Sequence, residues 1–123
     1  MLICNAKIHT MTETDLPEGS VRIRDGRIET VCAGALAPFP GEKVLDLHGA
    51  GLYPGFIDAH THLGMWEDGL TFEGDDGNEE TDPVSPQLRA ADAINPMDRC
   101  FSEALAAGVT TVVTGPGSAN PIG

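Results

Sequence analysis

The stretch PGFIDAHTH, residues 54–62, determines how the rest of the chain is interpreted. Apolar residues on both faces after a Pro-Gly turn predict a buried strand of a parallel sheet. The strand ends in His60 and His62, and side chains two positions apart along a strand project from the same face. Asp58 lies one step earlier on that face. Two neutral imidazoles directed at one point are typical ligands of a divalent metal ion, so the pattern indicates metal-assisted hydrolysis.

A helix and a second strand are predicted further along the chain. Asn95 is a good N-cap, Pro96 fits the first helical turn and Asp98 favours the helix N-terminal end, whereas Gly108 is placed to end the helix. The β-branched run Val109–Thr114 predicts a second buried strand. Strand, long loop, helix and strand form one βαβ unit of an α/β fold. Two strands and one helix leave an open sheet edge, so we expect a larger protein or an association that covers it.

The first third of the chain predicts a small β-structure. Strands are expected at Leu2–Ile8, Ser20–Arg24, Arg27–Cys32 and Val44–Leu47. The Asp-Gly pair at positions 25 and 26, between two alternating runs, is a strong hairpin signal. We therefore divide the chain into residues 1–52, which form part of a small β domain, and residues 53–123, which carry the βαβ unit.

Charge and composition exclude several classes of partner. The chain has 19 acidic and 7 basic residues and a formal charge of −12, which phosphate backbones and anionic lipid surfaces would repel. It contains neither an apolar run of about 18 residues nor a basic and apolar N-terminal leader. Three separated cysteines, Cys4, Cys32 and Cys100, predict reduced and mostly buried thiols. We expect a cytoplasmic protein that acts on a small-molecule substrate and binds neither nucleic acid nor membranes.

Residues 64–94 show little regular period, and a loop of this length is usually functional or mobile. Its segment 67–82 has no basic residue and eight carboxylates: Glu67, Asp68, Glu73, Asp75, Asp76, Glu79, Glu80 and Asp82. The segment is either a lid that selects cationic substrates or a solvated acidic loop, and its spacing does not match a calcium-binding EF-hand. The run Gly115–Ser118 lacks a phosphate-loop lysine, so we expect a loop at the rim of the site. His9 and His48 are expected in surface or packing roles.

Together these segments resemble a known family. The run GLYPGFIDAHTHLG at residues 51–64, followed by AAGVTTVVTGPGSAN at residues 106–120, is similar to the start of amidohydrolase-superfamily enzymes, above all imidazolonepropionase-like metal-dependent hydrolases. The resemblance implies the first strand, helix and second strand of a (β/α)₈ barrel, preceded by part of a small β-sandwich. It also implies that His60 and His62 bind one of one or two divalent ions, zinc by preference, at the C-terminal end of the first barrel strand.

The activity implied by the resemblance is hydrolysis of a C–N bond in a non-peptide amide or cyclic amide by a metal-activated water. A deaminase of the same superfamily, and a non-catalytic fragment or assembly module with a vestigial metal site, remain alternatives. A barrel of this type needs about 250 residues, so the other ligands and the general base are expected beyond Gly123. The 123 residues alone are expected to be inactive. Asp58 either orients a ligand histidine or is a carboxylate tied to backbone donors.

Overall fold

The computed structural model describes residues 1–12, 14–119 and 121. Its elements are β1 (Leu2–Ile8), β2 (Leu16–Arg24), β3 (Arg27–Ala33), β4 (Val44–Asp46), β5 (Gly51–Leu52), β6 (Phe56–Thr61), a 3₁₀ turn (Phe72–Gly74), α1 (Ala90–Ala93), α2 (Arg99–Ala106) and β7 (Val109–Thr114). The chain is therefore a mixed α/β protein, as predicted, and most of its regular elements are strands. It divides into one compact unit of residues 1–54 and a second that begins at Gly55. None of the helices among these residues is long and apolar enough to cross a membrane.

The first unit is a five-stranded sheet with β1 at its centre. Its order is β3-β2-β1-β4, and β5 also pairs with β1. The pairs β1–β2 and β2–β3 are antiparallel, whereas β4 and β5 run parallel to successive parts of β1. The predicted hairpin turn is confirmed, with Asp25 at φ 51° and Gly26 at φ 72°, both in the left-handed region that a type I′ turn requires.

A small aliphatic core lies on one face of this sheet. It consists of Ile3, Ala6, Ile8 and Val21, each at most 8% exposed. Strict alternation would place Ile3 and Ala6 on opposite faces, but the β1–β2 register shifts between them. Asn5 has a φ of 51° in this interval, a conformation that Asn tolerates better than most residues. The irregularity supplies one extra residue and turns both apolar side chains towards the same core.

The stretch from Leu52 to His62 does not form one strand. The structure divides it into β5, which joins the first sheet, and β6, which begins the second unit. Pro54 lies between them and has no backbone N–H to donate to a ladder, and Gly55 packs so closely on Thr110 that a Cβ would lie 2.1 Å from its Oγ1. The Pro-Gly pair thus ends one strand and allows the next to approach β7.

The second unit contains the predicted parallel pair of strands with a helix between them. β6 pairs with β7 in the register Phe56↔Val109, Asp58↔Val112 and Thr61↔Thr114. The predicted start of the helix is too early, because Asp98 is the N-cap of α2 and its carboxylate accepts a hydrogen bond from the Cys100 N–H at 3.1 Å. Asn95 instead accepts a hydrogen bond from the Met97 N–H in the turn that precedes the helix.

The predicted burial of β6 and β7 is also wrong for this chain. Phe56 is 59% exposed, Ile57 70% and Val113 61%. Apolar residues on both faces of a strand show that each face can pack against another element, but among the described helices and strands only β7 lies beside β6, and α2 packs on β7. The three cysteines are free and half-buried rather than mostly buried.

Candidate metal centre

His60 and His62 lie together at the C-terminal end of the β6–β7 pair. Their ring centroids are 5.4 Å apart, with the ring planes at 81°. Both line one hollow of about 120 Å³, whose other walls are formed by β7 and the loop after it, including Thr114 and Pro116. The i, i+2 spacing therefore brings the two rings to the same side of the backbone. His60 is exposed and His62 is half-buried.

A hydrogen bond fixes the protonation pattern of the His62 ring. Its Nδ1 lies 2.6 Å from the carbonyl oxygen of Gly115, 53 residues away in the sequence. A carbonyl oxygen can only accept, so Nδ1 carries the proton and donates it. The lone pair of the neutral ring is then on Nε2, which is the arrangement that a metal-binding histidine needs.

A series of contacts through the long loop encloses His62. The Trp66 ring meets the His62 ring edge-on, with centroids 5.0 Å apart. Trp66 also covers Gly77, where an added Cβ would lie 1.9 Å from the indole ring. The Gly77 carbonyl accepts a hydrogen bond from the Gly117 N–H at 2.7 Å. Gly117 lies two residues after Gly115. The segment around Gly77, which packs against Trp66, therefore also holds the loop whose Gly115 carbonyl accepts the hydrogen bond from His62.

Two further hydrogen bonds hold the strand ends beside the rings. The Gly115 N–H donates to the Thr61 carbonyl at 3.1 Å, and the Thr114 hydroxyl donates to the Leu63 carbonyl at 2.8 Å. Both bonds join the residues that flank His62 to the end of β7. The backbone on either side of the ring is therefore fixed by pairing and not by the loop alone. Gly115 lies beside the two histidines, as expected from the sequence for the loop that follows β7. The sequence gives no sign of the hydrogen bond between Gly115 and His62.

Asp58 makes a backbone contact in the structure. Its Oδ1 accepts a hydrogen bond from the His60 N–H at 3.1 Å, and the residue is exposed. This geometry corresponds to the alternative in which the carboxylate is tied to a backbone donor. Its role in orienting a ligand histidine stays a prediction, since the hydrogen bond reaches the main chain of His60 and not a ring.

The two rings fit one divalent ion but do not complete its coordination. Two imidazoles on a tetrahedral zinc, each with a Zn–N distance of roughly 2.0–2.1 Å, have their centroids about 5 Å apart. The observed separation of 5.4 Å agrees with this. Across residues 1–12, 14–119 and 121, no group of three or more His, Cys, Asp or Glu side chains is placed to hold a metal ion.

The two other histidines of the chain and the Cys100 thiol have different environments from those of His60 and His62. His9 stacks on Tyr53 with centroids 4.2 Å apart and contacts Asp15 at 2.8 Å, and the side chain of His48 is 86% exposed. Both therefore occupy the packing and surface positions that were predicted. Burial raises the pKa of the Cys100 thiol, which opposes the thiolate form and a nucleophilic role.

The acidic segment is partly ordered by its own carboxylates. Asp68 forms an ion pair with Arg99 at 2.6 Å, and Asp75 accepts a hydrogen bond from the Gly77 N–H at 3.3 Å. Glu79 accepts hydrogen bonds from the hydroxyl and the N–H of Thr81, and these bonds hold the pKa of Glu79 below its ordinary value. A 3₁₀ turn, the helix α1 and a bridge between Trp66 and Asp75 interrupt what the sequence predicts as an irregular loop.

Comparisons with known proteins show which family the chain is similar to. A crystal structure of an amidohydrolase from Thermotoga maritima MSB8 matches 98% of the chain at 42% identity, with a TM-score of 0.86, and the chain covers 30% of that protein. Amidohydrolase tasK of Hapsidospora irregularis is 35% identical over 80 residues, which are 65% of the chain and 8% of that relative. Imidazolonepropionase of Phocaeicola vulgatus is 48% identical over 50 residues, 40% of the chain and 12% of the relative. No protein-family model matches the chain.

The paired histidines at the end of a parallel strand and these similarities define the class of protein. The chain belongs to the amidohydrolase superfamily and matches an N-terminal portion of its members. It spans about a tenth of the length of the curated relatives described above. Further relatives carry the names N-substituted formamide deformylase, D-hydantoinase and adenine deaminase.

Proposed function

We propose that His60 and His62 are metal ligands of a hydrolase that cleaves the C–N bond of a non-peptide amide or a cyclic amide with a metal-activated water. The observation that carries the proposal is the hydrogen bond from His62 Nδ1 to the Gly115 carbonyl, which leaves Nε2 free beside the His60 ring. Relatives named amidohydrolase, formamide deformylase and hydantoinase support the reaction class.

The proposal extends to the architecture. In it, β6, α2 and β7 are the first strand, helix and second strand of a (β/α)₈ barrel, and residues 1–52 are part of a β-sandwich beside it. The parallel pairing of β6 and β7 supports this, as does the position of the two histidines at the C-terminal strand ends, where such barrels carry their active sites. The remaining barrel strands, or a second copy of the chain, would cover the exposed side chains of Phe56 and Ile57.

In this proposal the residues of the chain orient the ligands, and the general base and further ligands lie outside residues 1–123. A divalent ion, by preference zinc, supplies Lewis acidity that polarises the substrate carbonyl and activates a water. The Gly115 carbonyl holds the His62 ring in one tautomer, and the Trp66 ring limits its rotation. His60 makes no hydrogen bond through its ring to a described residue, so both of its nitrogens are accessible to an ion.

Zinc titration of the chain by calorimetry tests the metal site. We expect wild type to bind one zinc ion per chain, and the affinity to fall as the pH is lowered because protons compete for the imidazoles. His60→Ala should remove this binding. The matched control is His48→Ala, which deletes an exposed imidazole outside the site and should leave zinc affinity unchanged. Equal zinc binding by wild type and His60→Ala would contradict the proposal.

A protein that contains this chain together with the rest of the barrel tests the reaction. His60→Ala should there remove zinc binding and turnover together, and retained turnover would refute the role of His60. Product analysis separates the two reaction classes. Opening of a cyclic amide or release of a carboxylate supports amide hydrolysis, whereas ammonia released from an amino-substituted ring supports the deaminase alternative.

A further inference from the structure

A second and larger hollow adjoins the histidine pair. It measures about 390 Å³, which lies within the usual range of small-molecule sites. We call it the loop pocket. Its walls include Met65, Asp76, Glu79, Leu88 and Arg89, and Pro116 lines both this pocket and the hollow that contains His60 and His62. The two hollows therefore meet at Pro116.

The wall of the loop pocket has an apolar part and a polar part. Met65 is almost completely buried, at 1% exposed, and Leu88, Ala90, Ala93 and Pro116 continue this apolar surface. Such a surface packs against a short hydrocarbon stem but contributes no preference for charge. Selectivity has to come from the polar groups, as is usual in pockets of this kind.

The charges of the pocket do not balance. Arg89 is engaged by Asp92 through two hydrogen bonds, of 2.9 and 2.7 Å, so its guanidinium is already paired. Glu79 accepts hydrogen bonds from Thr81, but no cationic side chain of the described residues pairs with it. The Asp76 carboxylate has neither a hydrogen bond nor an ion pair with any described residue. Two carboxylates therefore face the pocket without a positive partner from the described part of the chain.

We propose that the loop pocket binds the non-reacting end of the substrate and selects a substrate that carries an ammonium or guanidinium group on a short apolar stem. The proposal rests on the proposed function, because the amide of such a substrate would be presented to His60 and His62. Asp76 pairs with the cation and Leu88 contacts the stem. An anionic substrate would be repelled by the same two carboxylates, which disfavours acidic amides.

Binding of two matched probes to the ¹⁵N-labelled chain tests the proposal. N-acetyl-L-arginine amide carries a guanidinium, and N-acetyl-L-citrulline amide replaces it with an uncharged urea of nearly the same shape. We expect the arginine probe to shift the backbone amide signals of Gly77, Asn78 and Leu88 and to bind up to about fivefold more tightly than the citrulline probe. This is the upper end of what an ion pair with an exposed carboxylate such as Asp76 contributes. The preference should shrink as salt is added.

Substitution of single carboxylates separates a local site from the general charge of the chain. Asp76→Asn should reduce the affinity for the arginine probe by up to about fivefold and leave that for the citrulline probe unchanged. Glu80→Gln removes the same charge from an exposed residue outside the pocket wall and should change neither affinity. Equal effects of both substitutions, equal affinities for the two probes, or no binding of either would overturn the proposal. Zinc titration is independent of these readouts, so a failure of the metal site is distinguishable from a failure of the pocket.

Discussion

The substitution Gly77→Ala tests whether the long loop positions the His62 ring. The added Cβ would lie 1.9, 2.1 and 2.4 Å from three atoms of the Trp66 indole. Carbon atoms that are not bonded meet at roughly 3.5–4.0 Å, so the ring has to retreat by about 1.6–2.1 Å. The His62 and Trp66 centroids are now 5.0 Å apart, and a displacement of this size changes the edge-on contact between the two rings.

The cost to stability should be small because Trp66 is 37% exposed and its ring can move towards solvent. We expect a loss of about 1 kcal/mol in the free energy of unfolding, the lower end of the range for overpacked sites. Zinc affinity should fall about tenfold, since partners that orient a ligand histidine typically contribute ten- to a hundredfold. Trp66 is the chain's single tryptophan, so its fluorescence emission should move to longer wavelength and report the displacement directly.

The matched control is Gly115→Ala. It makes the same chemical change in the loop that holds His62, but its added Cβ has no neighbour within 4 Å among the described atoms. It also keeps the carbonyl that accepts from His62, so emission and zinc affinity should both remain as in wild type. If Gly77→Ala left the Trp66 emission and the zinc affinity unchanged, the positioning of His62 through Trp66 would be refuted.

Three further substitutions, one of them with a matched control, test the folded framework. Ile8→Ala should lower the free energy of unfolding in urea by about 2–5 kcal/mol, because Ile8 is 5% exposed. The control Ile28→Ala, at a residue that is 68% exposed, should cost less than about 1 kcal/mol. Similar losses in the two variants would contradict the assigned core. The hydrogen bonds that the Asp98 carboxylate accepts from backbone N–H groups at the start of α2 hold its pKa below the ordinary 3.8. The ionised cap therefore stabilises the fold above about pH 4, and this contribution is lost as the pH falls through the lowered pKa. Asp98→Asn should therefore flatten the dependence of stability on pH below about 5, and a slope equal to that of wild type would count against the cap. Thr114→Val removes a hydrogen bond to the Leu63 carbonyl and should lower the free energy of unfolding by about 1 kcal/mol. It should also shift the NMR signals of the His62 ring. Unchanged ring signals would show that this bond does not support the site.

Local signals in the sequence predict much of this fold. The Asp25-Gly26 turn, the β-branched run of β7 and the two histidines at one strand end each depend on residues close together in the chain, and the structure contains all three. The start of α2 is predicted three residues too early, because Asn95 and Asp98 are both good caps and the extended backbone of Asp98, with ψ at 132°, decides between them.

The contacts that complete the candidate site could not be predicted in this way. The bond between His62 and Gly115 joins residues 53 positions apart, and the packing of Trp66 on Gly77 lies inside a segment without a regular period. A lone tryptophan four residues after a histidine pair and a glycine within an acidic run were the available signals, but neither specifies a partner. Burial of β6 was predicted wrongly for a related reason, because an apolar pattern shows which faces can pack and not what packs against them.

The central claim is that His60 and His62 bind the same metal ion. A crystal structure of the chain grown with zinc, with data collected on both sides of the zinc absorption edge, tests it most directly. The account predicts an anomalous peak about 2.1 Å from Nε2 of His62 and equally close to one nitrogen of His60. A peak located elsewhere on the chain, for example between His9 and Asp15, or the absence of a peak beside the two rings, would contradict the claim.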